Sequence, residues 1–197
     1  GFDKCYSIIY NDTQRWALMK PNETIVRFDA FLAKRKASFE GIAIGGSPLV
    51  MLGIVVRETR DCDIIDPEIP ASILNLAKTF AEKERANGED LRDDWFNNGP
   101  ASMGKNLPEG WRGRITLIFK GRSLTLHCLG REDLLKTKLQ GLCDRGTDID
   151  DCIAMKPTKT ELKNAISWLE QQDGNPDWPK HVREVLEDFA KKLGYEL

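Results

Sequence analysis

The spacing of apolar residues along the chain predicts an ordered series of strands and helices. Short continuous or alternating apolar runs predict strands over 39–44, 60–65, 114–119 and 123–129. Apolar residues three and four positions apart predict helices over 47–54, 71–86, 131–143, 147–155, 159–171 and about 178–193, and a first helix capped by Asn22 that ends in the basic triplet 34–36. Strands occupy the first two-thirds and helices the last third, so the pattern predicts an α+β fold.

The same pattern divides the chain into three parts. Residues 1–20 form an N-terminal extension to which no function is assigned. Residues 21–130 are expected to form an α/β core with a mixed β-sheet and flanking helices, and residues 131–197 a C-terminal helical subdomain. The polar segment 87–112 contains Gly99-Pro100 and Gly104, so it is expected to be irregular and rich in loops.

Composition narrows the possible environments of the protein. With 41% apolar and 30% charged residues, the chain is an ordinary globular protein. The net charge of −2 gives no overall attraction to nucleic acid or to an anionic membrane. No apolar run approaches the ~20 residues that span a bilayer, and the first residues lack the pattern of a secretion signal. These features predict a cytoplasmic protein with no membrane partner.

The five cysteines are an odd number and have no C-x-x-C spacing, so reduced thiols are expected. A zinc site would have to combine His127, Cys128, Cys143 and Cys152. The paired ligand spacing of zinc sites is absent, and Cys62, Cys128 and Cys152 fall on apolar stripes, where free cysteine acts as a small hydrophobic residue. Buried thiols are therefore the favoured interpretation.

Residues 44–66, IGGSPLVMLGIVVRETRDCDIID, carry the strongest chemical signal. The turn Gly45-Gly46-Ser47 joins a strand to a short helix, where glycine permits close approach of a phosphate and a helix N-terminus favours negative charge. Asp61 and Asp63 are two residues apart on the next strand, so their side chains are expected on one side. Paired carboxylates repel each other unless a cation lies between them. Phosphates at the turn and Mg²⁺ at the aspartates are therefore expected.

Lys138 stands out on the helix predicted over 131–143. It lies four residues from both Leu134 and Leu142, so it points into the buried stripe of that helix, whereas Lys136 points away. A buried lysine is costly unless a counter-charge or a phosphate meets it. The alternative is a lysine whose ammonium reaches solvent at the edge of the stripe.

Three motifs together resemble the nucleotidyltransferase superfamily. They are GGS followed by thirteen residues and D-C-D-I, then LLKTKLQG at 134–141, and then DRGTDIDD at 144–151. The last two resemble the lysine helix and the R-x-x-D-x-x-D segment of a small prokaryotic subgroup that contains AbiEii-like proteins, the toxin halves of some toxin–antitoxin systems.

The resemblance implies a metal-dependent transfer of a nucleoside monophosphate from an NTP to an acceptor. It implies Gly45, Gly46, Ser47 and Lys138 at the triphosphate, and Asp61 and Asp63 as ligands of Mg²⁺ or Mn²⁺. The acceptor would be a tRNA 3′ end or a protein, and a cognate antitoxin would be a partner.

An aspartate near the lysine is also implied by the resemblance. It falls on Asp148 first and on Asp151 second, and both share one face of the helix at 147–155. Thr147 and Asp148 could equally serve as an N-cap. Arg57 and Arg60 could face phosphate, or balance Glu58 and Asp61.

The chain also departs from the family pattern. Many active members carry a third carboxylate on a later strand, whereas the strand at 123–129 offers only His127. Glu132 and Asp133 begin a helix and are better explained as partners of its dipole. Gly141 replaces a common alanine, which predicts a minor packing change.

The missing third acid keeps two other interpretations open. One is a catalytically degenerate fold that binds a nucleotide or a protein. The other, weaker one is an antitoxin or regulator acting through protein contacts; RNA binding would require clustered basic residues, and the clusters at 34–36 and 112–114 are short.

Overall fold

A computed structural model describes residues 21–59 and 61–197 of the chain. The N-terminal extension and Arg60 lie outside these residues. The strands of the described part are β1 (Phe39–Ile44), β2 (Cys62–Asp66), β3 (Phe96–Asn97), β4 (Thr116–Lys120) and β5 (Leu124–Cys128). Its α-helices are α1 (Pro21–Lys34), α2 (Gly46–Met51), α3 (Ala71–Ala86), α4 (Arg131–Arg145), α5 (Ile149–Ala154), α6 (Lys159–Leu169) and α7 (Trp178–Lys192), and two 3₁₀ helices cover Gly99–Lys105 and Trp111–Arg114.

The strands form a mixed five-stranded sheet in the order β3-β2-β1-β5-β4. β1 is antiparallel to β2 and parallel to β5, while β4 and β5 form an antiparallel hairpin. Helices flank the sheet, and the last third of the chain is helical. The predicted α+β fold is therefore confirmed.

Two details differ from the sequence-based expectation. Asn22 lies inside α1 and does not cap it, because the helix already includes Pro21. β2 begins at Cys62, so Asp61 immediately precedes the strand. The predicted capping box of the third C-terminal helix is present, with Thr158 and Glu161 exchanging hydrogen bonds at the start of α6.

The two faces of the sheet contribute to different hydrophobic clusters. Cys62 and Ile64 of β2 pack into an aromatic cluster with residues of α1 and α3. Ile65 of β2, with Ile42 and Ile44 of β1, packs into a second cluster with the C-terminal helices. Since side chains alternate along a strand, Asp63 lies on the same face as Ile65, toward the helical half.

One buried carboxylate has a structural role away from this face. Asp29 of α1 accepts hydrogen bonds from the backbone N–H groups of Arg122 (3.1 Å), Ser123 (2.8 Å) and Leu124 (2.8 Å) at the β4–β5 hairpin. A Cβ atom on Gly121 would lie under 3.0 Å from the Asp29 carboxylate, so glycine is required there. Burial raises the pKa of Asp29, but the three donors outweigh it and hold the pKa below its ordinary value.

No helix among residues 21–59 and 61–197 is long and apolar enough to cross a membrane.

Candidate active site

The turn between β1 and α2, residues Gly45 to Ser47, is called the glycine turn below. Gly45 has a φ of 86°, a conformation that favours glycine, and a Cβ atom on it would lie 3.1 Å from Asp63 Oδ2. Because Ile44 pairs with Asp63 across the two strands, the turn begins directly beside this carboxylate. Ser47 is buried beside Cys62, and its hydroxyl is not accessible to solvent. The accessible part of the glycine turn is therefore its glycine backbone.

Asp63 is half-buried and is held by a neighbouring strand. Asn97 of β3 pairs with it in the sheet and donates from Nδ2 to Asp63 Oδ1 at 2.9 Å. The Asn97 side chain is fixed in turn by the carbonyl of Asp94 (3.1 Å) and the N–H of Gly99 (2.6 Å). One carboxylate oxygen is thus engaged by an amide, while the other lies at the glycine turn.

The pKa of Asp63 is raised above its ordinary value, chiefly by burial. The hydrogen bond from Asn97 and the charge of Lys138 lower it, and the charge of Asp61 raises it. A half-buried carboxylate next to a second carboxylate is an environment in which a divalent cation is stabilised.

Asp61 is exposed, and its backbone carbonyl accepts a hydrogen bond from the Thr59 hydroxyl at 2.8 Å. Within the described part of the chain, no group of three or more His, Cys, Asp or Glu side chains is placed to hold a metal ion. Mg²⁺ is commonly bound by one or two carboxylates together with substrate phosphates. The pair Asp61 and Asp63 fits that arrangement, and its role as a metal site stays a prediction.

Lys138 points inward from α4, as its spacing predicts. Its Nζ lies 3.0 Å from Asp148 Oδ1 and 2.8 Å from Asp151 Oδ2. The side chains of Lys138 and Asp151 are only 7% and 3% exposed. The buried ammonium therefore has two carboxylate partners, which offset the free-energy cost of burying its charge.

Asp148 precedes α5 with a φ of 64°, an uncommon left-handed conformation for a residue other than glycine. It occupies the N-cap position, but its side chain makes no capping hydrogen bond and contacts Lys138 instead. A Cβ atom on Gly141 would lie under 3.0 Å from Asp148 Oδ2. The expectation of a minor packing change at Gly141 is wrong, because this glycine makes room for the carboxylate.

Arg57 joins the same group from the segment after α2. Its Nη2 lies 2.8 Å from Asp151 Oδ2, although the two residues are 94 positions apart. A Cβ atom on Gly46 would lie 2.7 Å from this nitrogen. The charge of Arg57 is therefore paired with Asp151, whereas the sequence suggested either a contact with phosphate or a balance of charge with Glu58 and Asp61. We call Arg57, Lys138, Asp148 and Asp151 the Asp151 cluster.

Asp133, which could have substituted for the third acid, and His127, on the strand that lacks it, are each paired with another residue. Asp133 is buried and accepts two hydrogen bonds from Arg114, at 2.9 and 3.0 Å. It therefore forms a structural ion pair and is not simply a dipole partner of α4. His127 Nε2 lies 2.8 Å from Glu40 Oε1 at the sheet.

The cysteines of the described residues are buried and free. Burial raises the pKa of Cys128 to about 11 and those of Cys143 and Cys152 to about 12. In the described part of the chain, no three or more His, Cys, Asp or Glu side chains are grouped so that they could hold a zinc ion. The interpretation as buried hydrophobic thiols agrees with this placement.

Sequence reasoning missed Asn97 and the contact of Arg57 with Asp151. Asn97 lies in the segment 87–112, which was expected to be irregular, but Phe96 and Asn97 form β3. A two-residue strand leaves no periodic signal, so nothing in the sequence marks this amide. The pairing of Arg57 depends on tertiary packing alone.

A family model described as "Nucleotidyltransferase of unknown function (DUF6036)" matches residues 23–170. The match includes the glycine turn, Asp61, Asp63 and the whole Asp151 cluster. No curated protein and no solved structure matches the chain.

Proposed function

Because the chain belongs to this nucleotidyltransferase family, we propose that it transfers a nucleoside monophosphate from an NTP to an acceptor hydroxyl. The observation that carries the proposal is the position of Asp63. Its Oδ2 lies at the glycine turn, Asn97 fixes its Oδ1, and the charge of Lys138 acts on it from α4. These contacts support a proposed arrangement in which Asp63 binds the metal, the glycine turn binds phosphate and Lys138 supplies a nearby positive charge.

In this proposal, Asp61 and Asp63 hold Mg²⁺ or Mn²⁺, which neutralises phosphate charge. The backbone of the glycine turn and the Lys138 ammonium bind and orient the triphosphate. The acceptor hydroxyl loses its proton to solvent as its oxygen forms a bond to the α-phosphorus, while the bond from that phosphorus to the bridging oxygen breaks and pyrophosphate leaves with the electron pair. Asn97 keeps Asp63 in one orientation throughout.

The subgroup and the acceptor are further parts of the proposal. The segments LLKTKLQG and DRGTDIDD resemble AbiEii-like toxins, which supports a toxin-like enzyme with a tRNA or a protein as acceptor and an antitoxin as partner. The free, buried cysteines suit a reducing compartment, which supports a cytoplasmic location.

The second candidate function is nucleotide or protein binding without catalysis. It is favoured by the absence of a third carboxylate beside Asp61 and Asp63 in the described chain. Asp133, the residue that the sequence offered as a possible third acid, forms an ion pair with Arg114. Loss of one metal ligand weakens two-metal catalysis more than it weakens nucleotide binding.

The test is transfer of label from each of the four NTPs to macromolecules of a cell extract, with and without Mg²⁺. We expect wild type to label an acceptor and Asp63→Asn to label none. Asp66→Asn is the matched control, since Asp66 lies on the same strand and pairs with Arg112 outside the site. NTP binding without any labelled acceptor would favour the binding function.

A further inference from the structure

Asp151 is paired with two cations that come from distant parts of the chain. Its Oδ2 accepts a hydrogen bond from Arg57 Nη2 of the segment after α2 at 2.8 Å and forms an ion pair with Lys138 Nζ of α4 at 2.8 Å. Asp151 is buried, so this shared oxygen fixes where both cations lie. A carboxylate oxygen that is occupied by two cations is poorly placed to serve as a metal ligand.

Arg57 lies directly on the glycine turn. A methyl group on Gly46 would come within 2.7 Å of Arg57 Nη2, and the next guanidinium atoms lie 3.6 and 4.0 Å from that position. The guanidinium therefore covers the part of the turn to which phosphate is assigned. A methyl group at position 46 would require this guanidinium to move.

The hydrogen-bonding capacity of the two cations differs. Lys138 has three N–H groups and forms ion pairs with two carboxylates, and its side chain is almost fully buried. Arg57 has five N–H groups, and within the described residues its hydrogen bond is to Asp151. Its side chain is 48% exposed, so a ligand from solvent can reach it.

We propose that Arg57 is a phosphate-binding residue that contacts the triphosphate at the glycine turn together with Lys138. This inference rests on the proposed function. The planar guanidinium suits paired contacts to phosphate oxygens, and its charge is permanent. Asp151 is then a positioning residue, which holds both cations at the correct place without touching the nucleotide.

The experiment compares binding of NTP, nucleoside and inorganic tripolyphosphate, each with Mg²⁺ at fixed ionic strength, by calorimetry. The variants are Arg57→Gln, Arg57→Lys and the control Glu58→Gln, which removes a charge from the neighbouring exposed position. We expect Arg57→Gln to weaken NTP and tripolyphosphate at least about tenfold, as loss of a charge-assisted hydrogen bond requires. Arg57→Lys should recover only part of this affinity, and Glu58→Gln should match wild type.

The outcomes separate this inference from the proposed function. If wild type binds NTP and Arg57→Gln binds it equally well, Arg57 is not a phosphate-binding residue, whereas the proposed function stands. If wild type binds tripolyphosphate through Arg57 but no NTP, the anion site stands and the nucleotidyltransferase proposal fails. Binding of neither probe by folded wild-type protein overturns both.

A second variant tests the geometry itself. Gly46→Ala places a methyl group against the guanidinium, so it should reduce NTP affinity in the wild-type background. The same change in the Arg57→Gln background should have little additional effect, because the displaced cation is already absent. An equal loss in both backgrounds would mean that the methyl group blocks phosphate directly, and it would contradict a guanidinium that binds phosphate at this position of the turn.

Discussion

Gly141 and Asp148 are in direct contact at the point where α4 passes the start of α5. The space that a Cβ atom on Gly141 would occupy is filled by the Asp148 carboxylate, whose other oxygen lies 3.0 Å from Lys138 Nζ. A missing methyl group on one helix therefore allows the ion pair that neutralises the buried lysine.

The first prediction concerns Gly141→Ala. In the wild-type background the methyl group displaces Asp148, and we expect the free energy of unfolding to fall by roughly 1 kcal/mol, because overpacking outweighs the better helix propensity of alanine. In an Asp148→Gly background the same change should raise it by up to about 1 kcal/mol. Urea denaturation of the four proteins measures both values. Equal effects in the two backgrounds would show that Asp148 does not fill this space. The Arg145 side chain is also near the Cβ position, but it is exposed and can move away from a methyl group.

The second prediction concerns the buried ammonium. Lys138→Met leaves Asp148 and Asp151 without this counter-charge, and the free energy of unfolding should fall by roughly 3 kcal/mol, as for other broken buried ion pairs. Lys136→Met on the same helix should change it by less than about 0.5 kcal/mol.

The Lys138→Ala variant tests the contact with phosphate. It should weaken the binding of NTP far more than the binding of nucleoside. Equal weakening of the two ligands would contradict a contact between Lys138 and the triphosphate.

The third prediction follows from the raised pKa of Asp63. A carboxyl group whose pKa is higher in the folded protein than in the unfolded chain stabilises the fold below the unfolded pKa, and this contribution is lost as the pH rises through the folded pKa. Without metal, Asp63→Asn should therefore be slightly more stable than wild type at neutral pH, and the difference should vanish below the ordinary value of 3.8.

Thermal unfolding across this pH range measures the effect. Saturating Mg²⁺ should stabilise wild type and leave Asp63→Asn unchanged. A large loss of stability in Asp63→Asn at neutral pH would mean that Asp63 is structural.

The fourth prediction concerns Asp29, a carboxylate with a structural role outside the candidate site. Its pKa is lowered in the folded protein, so its contribution to stability is present above the unfolded pKa and is lost as the pH falls through the folded pKa. Asp29→Ala should lose about 1–3 kcal/mol at neutral pH, because three backbone N–H groups lose their acceptor, and the difference from wild type should shrink in acid. NTP affinity of the folded variant should be unchanged. A changed affinity would connect this hairpin to the site.

The sequence predicted most elements to within a few residues because the sheet and helices follow local apolar periodicity. Phe39–Ile44 and Ala71–Ala86 have the predicted boundaries, and β2 begins two residues later than expected. Periodicity also predicted the inward direction of Lys138, since it reports which face of a helix a residue occupies.

What periodicity cannot report is which distant residue meets that face. The partner of Arg57 lies 94 positions away, and the contact of Gly141 with Asp148 depends on a left-handed residue between two helices. Asn97 reaches Asp63 only because two short strands pair. Each of these relationships is set by tertiary packing, so the motifs indicated a candidate site, while the structure was needed for the contacts within it.

The most direct test of the account is calorimetric titration of each NTP into wild type, Asp63→Asn and the control Asp66→Asn, with and without Mg²⁺. The account predicts NTP binding by wild type and by Asp66→Asn that requires Mg²⁺ and that Asp63→Asn loses. Folded wild-type protein that binds no NTP in the presence of Mg²⁺ would contradict a nucleotide site at the glycine turn.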